Sequence, residues 1–568
     1  MYKKILNSLT FTMLLVTLVT SANSPTLPEK KTIIEVSDRE MDNVKKEKNV
    51  AHVSTKAELI SAVADQTIRK ILVYESLYDV PNLSLKPGQS LIGTGPNLFI
   101  DFSKDIDGLQ LSENNTISNI TLKVTPTKRA IYNTYNILSF GKFELEDIKT
   151  IGQVQIVAKD KLIQGALKIN NLHVIFSDTT ATPERPSTGI GSKATSNIDI
   201  LQGAVTLLNL QQSKNSIITA EIRGLTIGLA EQPVYGSGLL ISGGKGNIYT
   251  HSGDTLGGQV KVSVVETGDV FNDSKIPAGT DNLISGSVFI AYANAEQVIN
   301  RGRTISYGTN GLGLDNWGRV KNWTSIGPVE TFGDSGMGVV NFGVLNYLSV
   351  ASIQTHGNGA RAFNVLTGTV DNAYFGSLKT YGNGATAILI SQPIGRLSVN
   401  SNIETFGASA NSLTAGILDK QPSAALRMLS GSAKEIFIGG NMVTRGEGSG
   451  AIELQDATLE RLVVQGKIQA SGKNSNALKV VNSNLPLINL DLKSAFDSAI
   501  FLSRAHIVAL SGVKASGIQG DLVVEQDSSI VTRSQSTEAL SYSFGNHFNI
   551  SGADKLTIEN NVFVDAAD

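Results

Sequence analysis

The chain of 568 residues contains no cysteine. This absence excludes disulfide bonds, thiolate metal sites and a lipoprotein anchor. Proline is also scarce, with 14 residues, whereas glycine reaches 55. A glycine-rich, proline-poor chain in which 41 % of the residues are hydrophobic suits tightly turned strands around a core rather than disorder.

An excess of charge of either sign is missing as well. The 48 lysines and arginines nearly balance the 50 aspartates and glutamates, for a formal net charge of −2. Nucleic acids and anionic membranes are therefore not expected partners, because both attract basic patches. Neither the carboxylate pattern of glycoside hydrolases nor a Gly-Gly-x-Gly-x-Asp calcium repeat is recognisable. The sequence leaves any catalytic residue unidentified, and it predicts neither a metal site nor a cofactor.

A repeat occupies residues 329–480. Five segments align, namely VETFGDSGMGVVNF, IQTHGNGARAFNV, LKTYGNGATAILI, MVTRGEGSGAIEL and IQASGKNSNALKV, and IETFGASAN is a partial sixth. The position two residues before the shared glycine is occupied by Thr331, Thr355, Thr380, Thr405, Thr444 and Ala470. Successive members lie 24 to 26 residues apart, except for 39 residues between Thr405 and Thr444. A fixed period of this length indicates a solenoid, and the longer interval predicts an insertion at 408–430.

Each repeat unit contains three short segments in which apolar positions recur with strand spacing, as at 345–350, 353–357 and 363–365. Period-two alternation predicts strands with one buried face. Three strands per coil, with glycine and asparagine at corners that need positive φ, describe a parallel β-helix. A β-sandwich would not keep this register, and a propeller blade needs about 40 residues. The predicted fold is all-β, as a single-domain solenoid.

Two resemblances accompany this pattern. The Ile-x-Thr-x-Gly…Ala-x-apolar repeat, over roughly 308–480, resembles the passenger domains of bacterial autotransporters and related secreted β-helices. Thr55 and Glu58 have the spacing of a capping box and predict a helix at 54–64. That helix, followed by strands and a Pro-Gly-x-x-Leu-Ile-Gly-x-Gly phrase at 87–95, resembles the start of the pectate-lyase-like β-helix superfamily. The resemblance implies a right-handed parallel β-helix whose open N-terminal end is capped by the helix.

The first 22 residues have the features of a secretory signal. Lys3 and Lys4 precede an apolar run at 9–19, and small residues follow it. The predicted organisation is a signal peptide at 1–22, a charged linker at 23–53 and one β-helix at 54–568, with loop excursions at 177–197 and 266–282 and the most regular coils at 329–480. The predicted location is secreted, periplasmic or on the cell surface of a bacterium, with no membrane span after signal removal.

Strand alternation also predicts an outward-facing column. If Ile353 and Thr355 face the core, then His356 faces outward. The column consists of Phe332, His356, Tyr381, Phe406 and Arg445, about 4.8 Å apart. Its rings could stack on the faces of sugar rings, dock a second copy of the chain, or lie under the neighbouring turns.

A second candidate site follows the 266–282 excursion. It contains Tyr307, Asp315, Trp317 and Trp323, and thus both tryptophans of the chain. Tryptophan and aspartate beside a loop could form a sugar site, or the tryptophans could pack beneath that loop.

These features predict an adhesin-like or carbohydrate-binding protein. Its expected partner is an extracellular polysaccharide or a cell-surface glycan, and homo-oligomers are an additional possibility. The alternative is a polysaccharide lyase or glycoside hydrolase acting in a groove beside residues 266–334.

Overall fold

The repeat unit folds into a coil with three faces. In the coil that begins at Val344, the long strand Val344–Thr355 provides a first face at 344–350 and a second face at 353–355. The strand Arg361–Val365 forms the third face. Side chains alternate between the interior and the outside along each face, as the period-two pattern predicts.

The computed structural model describes residues 48–188, 197–414, 417–532 and 549–560. This part of the chain is all-β, a parallel β-helix with 58 % strand and 3 % helix. The unit that contains the coils begins at Lys48. The predicted signal peptide and residues 23–47 of the predicted linker lie outside the described residues. Within those described, no helix has the length and hydrophobicity needed to cross a membrane.

The first and second faces share one long sheet. Its strands are Val50–Val53, Lys70–Val73, Leu77–Val80, Ser90–Gly93, Phe99–Phe102, Thr116–Lys123, Ser139–Ile151, Gln164–Phe176, Ile217–Ile227, Val234–Tyr235, Gln259–Asp273, Asn294–Asn300, Thr304–Tyr307, Arg319–Ser325, Val329–Thr331, Val344–Thr355, Thr369–Thr380, Ile394–Val399, Ile403–Thr405, Ser432–Ile438, Met442–Thr444, Thr458–Leu459, Leu462–Val464, Lys467–Ala470, Asn484–Ile488, Asp491–Ser494, His506–Ser511, Lys514–Gly517, Ser528–Thr532 and Leu556–Asn560.

The third face forms a second sheet. Its strands are Leu83–Ser84, Leu109–Leu111, Arg129–Asn133, Gln153–Ala158, Asp199–Ile200, Gly203–Asn209, Ser237–Ser242, Leu283–Ala291, Gly311–Asn316, Met337–Asn341, Arg361–Val365, Ile388–Ile390, Leu426–Leu429, Ile452–Gln455, Leu478–Val481, Ile500–Ser503, Leu522–Gln526 and Ile550–Ser551.

The coils stack in register, so equivalent apolar residues lie above one another. Phe363 pairs with Ile388, and Ile388 with Leu426. The residues predicted to face the core are all buried, namely Ile353, Ile388, Ile403, Ile452, Leu462 and Val464. Stacking of like residues along the axis gives one continuous core cluster from Val53 to Ile530.

The N-terminal helix, Lys56–Ala64, is present and is held by the predicted capping box. The Thr55 hydroxyl accepts a hydrogen bond from the Glu58 N–H, and the Glu58 carboxylate accepts one from the Thr55 N–H at 3.0 Å. Leu59 and Val63 are buried in the core cluster. The helix therefore covers apolar surface at this end of the solenoid.

The glycines of the repeat have two different causes. The glycine of Thr-x-Gly lies against the backbone of the preceding coil, where a Cβ at Gly357 or Gly382 would come within 1.9 Å of a carbonyl oxygen. The second glycine, as at Gly359 and Gly384, has φ of +66°. Positive φ was the expected cause for both, and it applies only to the second.

Two predicted boundaries differ from those of the strands. Residues 50–53 of the predicted linker form the strand Val50–Val53, which pairs with Lys70–Val73. The predicted 266–282 excursion begins later, because Gln259–Asp273 is a continuous strand. The excursion at 177–197 includes residues 189–196, which lie outside the described residues.

The insertion predicted at 408–430 contains a hairpin of Ala410–Thr414 and Ile417–Gln421. It is the one antiparallel strand pair in the described part of the chain. The strand Leu426–Leu429, also within this range, belongs to the third face.

Candidate functional site

A continuous column of stacked rings lies on the outside of the second face. Tyr307 stacks on Phe332 at 5.2 Å between ring centroids, and Phe332 stacks on His356 at 4.5 Å. His356 stacks on Tyr381 at 4.8 Å, and Tyr381 on Phe406 at 5.0 Å. The structure thus brings together four predicted binding residues and adds Tyr307, which the sequence interpretation had assigned to the other cluster.

Parallel pairing produces this aromatic column. Thr331, Thr355 and Thr380 are aligned by the ladder and buried, so each following residue points outward in the same register. The ring spacing therefore matches the distance between neighbouring strands. At the C-terminal end, the Arg445 guanidinium lies 5.0 Å from the centre of the Phe406 ring, in a cation–π contact.

The rings cover one another's faces. Their interplanar angles lie between 2° for Phe332 and His356 and 18° for Tyr307 and Phe332. Solvent reaches part of the column, with 41 % of Phe332 and 38 % of Tyr381 exposed, whereas the Nε2 atom of His356 is buried. The expectation that each ring could take a sugar face is wrong, because the neighbouring rings occupy those faces.

Two polar columns flank the rings. On one side lies the charged column, which consists of Glu330, Gln354, Lys379 and Glu404. In this column Glu404 forms ion pairs with Lys379 and Arg445, both at 3.2 Å. This arrangement gives the aromatic column a hydrophilic edge.

On the other side lies a corner column, whose members follow the Thr-x-Gly glycines: Asp334, Asn358, Asn383, Ala408 and Glu447. A carboxylate oxygen of Asp334 accepts from the Asn358 N–H at 2.8 Å, and the Asn358 side chain accepts from the Asn383 N–H at 3.2 Å. These bonds fix the corner column in position beside the rings.

The second predicted cluster does not form a surface site. Asp315, Trp317 and Trp323 are all buried. Trp323 lies in the main core, and its indole N–H donates to the Asn300 side chain at 2.8 Å. Trp317 belongs to a separate apolar cluster on the outer side of the third face, in contact with Phe289.

Asp315 also faces outward from the third face but is fully covered. It pairs with Phe289 on one side and Val340 on the other, both apolar. Burial raises the pKa of Asp315 well above its ordinary value, and neither carboxyl oxygen has a hydrogen-bond partner among the described residues. A fully covered carboxyl cannot contact a ligand at the surface.

A long open groove, which the sequence interpretation missed, runs over the outside of the first face. Its volume is about 1190 Å³, and it crosses eight neighbouring strands from Ser139–Ile151 to Thr369–Thr380. A second depression of about 590 Å³ shares Asp371 and Asn372 with it and continues toward the C-terminus. The side chains that line the larger groove include Lys168, Glu221, Lys261, Glu296, Arg319, Lys321, Asn322, Asn346, Tyr347, Asp371 and Asn372.

The signal for this groove was present in the repeat. Its first segment has two residues between buried ones, as with Asn346 and Tyr347 between Leu345 and Leu348. Both intervening residues point outward, so each of the last four strands of the groove adds two polar side chains to the same surface. Lys321 pairs with Glu296 at 3.2 Å, and the Asn346 amide donates to Asp371 at 2.6 Å. The lining thus combines amides, both signs of charge and the exposed Tyr347 ring.

The carboxylates at 266–273 are engaged in ion pairs. Hydrogen bonding from Arg301 lowers the pKa of Glu266 despite partial burial. Burial of Asp269 by itself raises the pKa of its carboxyl. Hydrogen bonds from Arg303 outweigh this effect, so the pKa is lowered. Both groups are ionised at neutral pH, whereas a general acid needs a raised pKa. Among the described residues, no cluster of three or more metal-binding side chains occurs.

Comparisons with protein-family models, with curated proteins and with solved structures give no match to this chain.

Proposed function

We propose that the protein is a secreted or cell-surface, adhesin-like protein that binds an extended polysaccharide along the groove of the first face. The observation that carries this proposal is the lining of the groove, where strand pairing places hydrogen-bonding side chains of successive coils at the same position, as with Asn322, Tyr347 and Asn372. The groove crosses eight strands, which corresponds to roughly 35 Å at the spacing of parallel strands. A polymer with a short chemical repeat can meet equivalent contacts along such a surface.

The chemistry of the lining suits sugars. Asn322 and Asn372 provide both donors and acceptors, which match the hydroxyl groups of a pyranose. Tyr347 lies between them in the register and is 39 % exposed, so its ring is available for packing against a sugar. A rigid parallel sheet holds these groups in place, which reduces the entropy lost on binding.

The test is retention of the protein on a panel of neutral and acidic polysaccharides, with mass spectrometry of the polymer to detect any cleavage. We expect retention without cleavage. The variant Tyr347→Ala should weaken retention about fivefold, which corresponds to about 1 kcal/mol for loss of an aromatic contact.

The matched control is Tyr78→Ala, which removes an exposed tyrosine outside the groove. It should leave retention unchanged. If no polysaccharide retains the protein, or if the two tyrosine variants behave alike, the groove is not the binding site.

A further inference from the structure

The aromatic column has the composition of a protein–protein contact. Its rings present a continuous apolar stripe from Tyr307 to Phe406, and the charged and corner columns form polar margins on both sides. Aromatic residues and arginine within a polar rim are typical of interfaces. The stripe and the groove of the first face share no residue.

The ends of the stripe carry opposite charges. Arg445 follows Phe406 at one end. At the other end the strand register places Asp273 one coil before Tyr307. Beside these end residues lie Lys275, which forms an ion pair with Asp273 at 2.8 Å, and Glu447 of the corner column, each two residues after Asp273 or Arg445. Each end of the stripe therefore carries an acidic and a basic residue, and their order is complementary to that of a second stripe that runs in the opposite direction.

We propose that this stripe binds a second copy of the chain in an antiparallel, twofold arrangement centred on His356. In such an arrangement each column faces its own counterpart in reverse order. Phe332 then meets Tyr381 of the other copy, and Tyr307 meets Phe406. The five rings of one copy then cover the five rings of the other. The distances between neighbouring rings match because the two chains are identical.

The charges agree with this register. Glu330 faces Lys379 of the other copy, Asp273 faces Arg445, and Lys275 faces Glu447, each pair occurring twice by symmetry. No like charges meet within the stripe. A shift of the centre by half a coil toward the C-terminus places Glu330 opposite Glu404, and a shift by one coil places Lys379 opposite itself. Like-charge contacts of this kind oppose the shifted registers.

Complementary charge variants provide the test, with sedimentation velocity as the measurement. The wild-type chain should form dimers at roughly micromolar concentrations, since the stripe is narrow compared with tight interfaces. Glu330→Lys places two lysines opposite each other, and Lys379→Glu places two glutamates opposite each other. Each single variant should weaken self-association at least about tenfold.

An equimolar mixture of the two variants restores both attractive pairs. It should form a heterodimer with an affinity within about threefold of wild type. If each substitution only damaged the copy that carries it, mixing the two variants would not restore association. Glu460→Lys, with the same charge change at an exposed site away from the stripe, should dimerise like wild type.

A third variant, Tyr381→Ala, removes one ring. It should yield monomers that keep their polysaccharide retention, because that property belongs to the groove. A monomeric wild-type chain, a mixture that fails to associate, or a glycan defect in Tyr381→Ala without any change in assembly would each overturn the proposal.

Discussion

At the scale of single residues, strand alternation tells which side of a sheet a side chain occupies but not what covers it. His356 and Asp315 both point outward from their strands, yet His356 lies in a surface column and Asp315 is fully buried. The difference comes from the separate cluster around Trp317 and Ile248, which lies over that part of the third face. Such contacts join residues far apart in the chain, so a local pattern cannot predict them.

Asp315 should make the stability of the protein fall as the pH rises. Burial raises its pKa in the folded chain, so the native state binds a proton that the unfolded chain releases above about pH 4. The stability that this proton contributes is fully present below the pKa of Asp315 in the unfolded chain. It is lost as the pH rises toward the pKa in the folded chain, by about 1.4 kcal/mol per pH unit. Asp315→Asn removes this dependence.

The measurement is urea unfolding of both proteins near pH 5 and near pH 7. The advantage of Asp315→Asn over wild type should grow between these two values, because only the wild-type chain loses proton-linked stability as the pH rises. Parallel pH profiles for the two proteins would contradict a raised pKa of Asp315 in the native state.

At the scale of the structural element, the corner after the second face combines two glycines with different requirements. Gly382 permits a close approach between coils, whereas Gly384 adopts positive φ. The repeat itself predicted the corner and the glycine positions. It could not separate the two causes, because the distance to the preceding coil depends on how the coils stack.

Alanine substitutions should distinguish the two glycines. Gly382→Ala places a Cβ 1.9 Å from the Gly357 carbonyl oxygen, so backbone must move, at a cost of about 3 kcal/mol. Gly384→Ala has its nearest contact at 3.1 Å and mainly suffers from positive φ, at about 1 kcal/mol. Thermal unfolding should therefore rank Gly382→Ala well below Gly384→Ala. The reverse order would show that coil spacing does not determine the first glycine.

At the scale of the whole molecule, the repeat was sufficient to predict the fold, because each coil is specified by the same local pattern. Because coils in register stack equivalent positions above one another, the column from Phe332 to Arg445 was also predictable. The groove escaped prediction, although its residues follow the same pattern, because its concavity arises only when many first faces lie side by side. The excursions were harder still, as the strand Gln259–Asp273 continues through residues that read as a loop.

The continuity of the core makes a final prediction about the solenoid as a unit. Ile388 lies in the middle of the most regular coils and is fully buried between Phe363 and Leu426. Ile388→Asp would place an unpaired charge there, at a cost of about 3–5 kcal/mol. Because each coil contacts only its neighbours, the damage should separate the solenoid into two stretches that no longer unfold together. Limited proteolysis by trypsin should then begin at Lys379 or Arg396, on the strands beside the substitution.

Ser398→Asp adds the same charge on the outside of a neighbouring strand and should leave both the melting temperature and the cleavage pattern unchanged. A soluble Ile388→Asp variant that melts cooperatively at the wild-type temperature would contradict the assignment of this residue to the shared core.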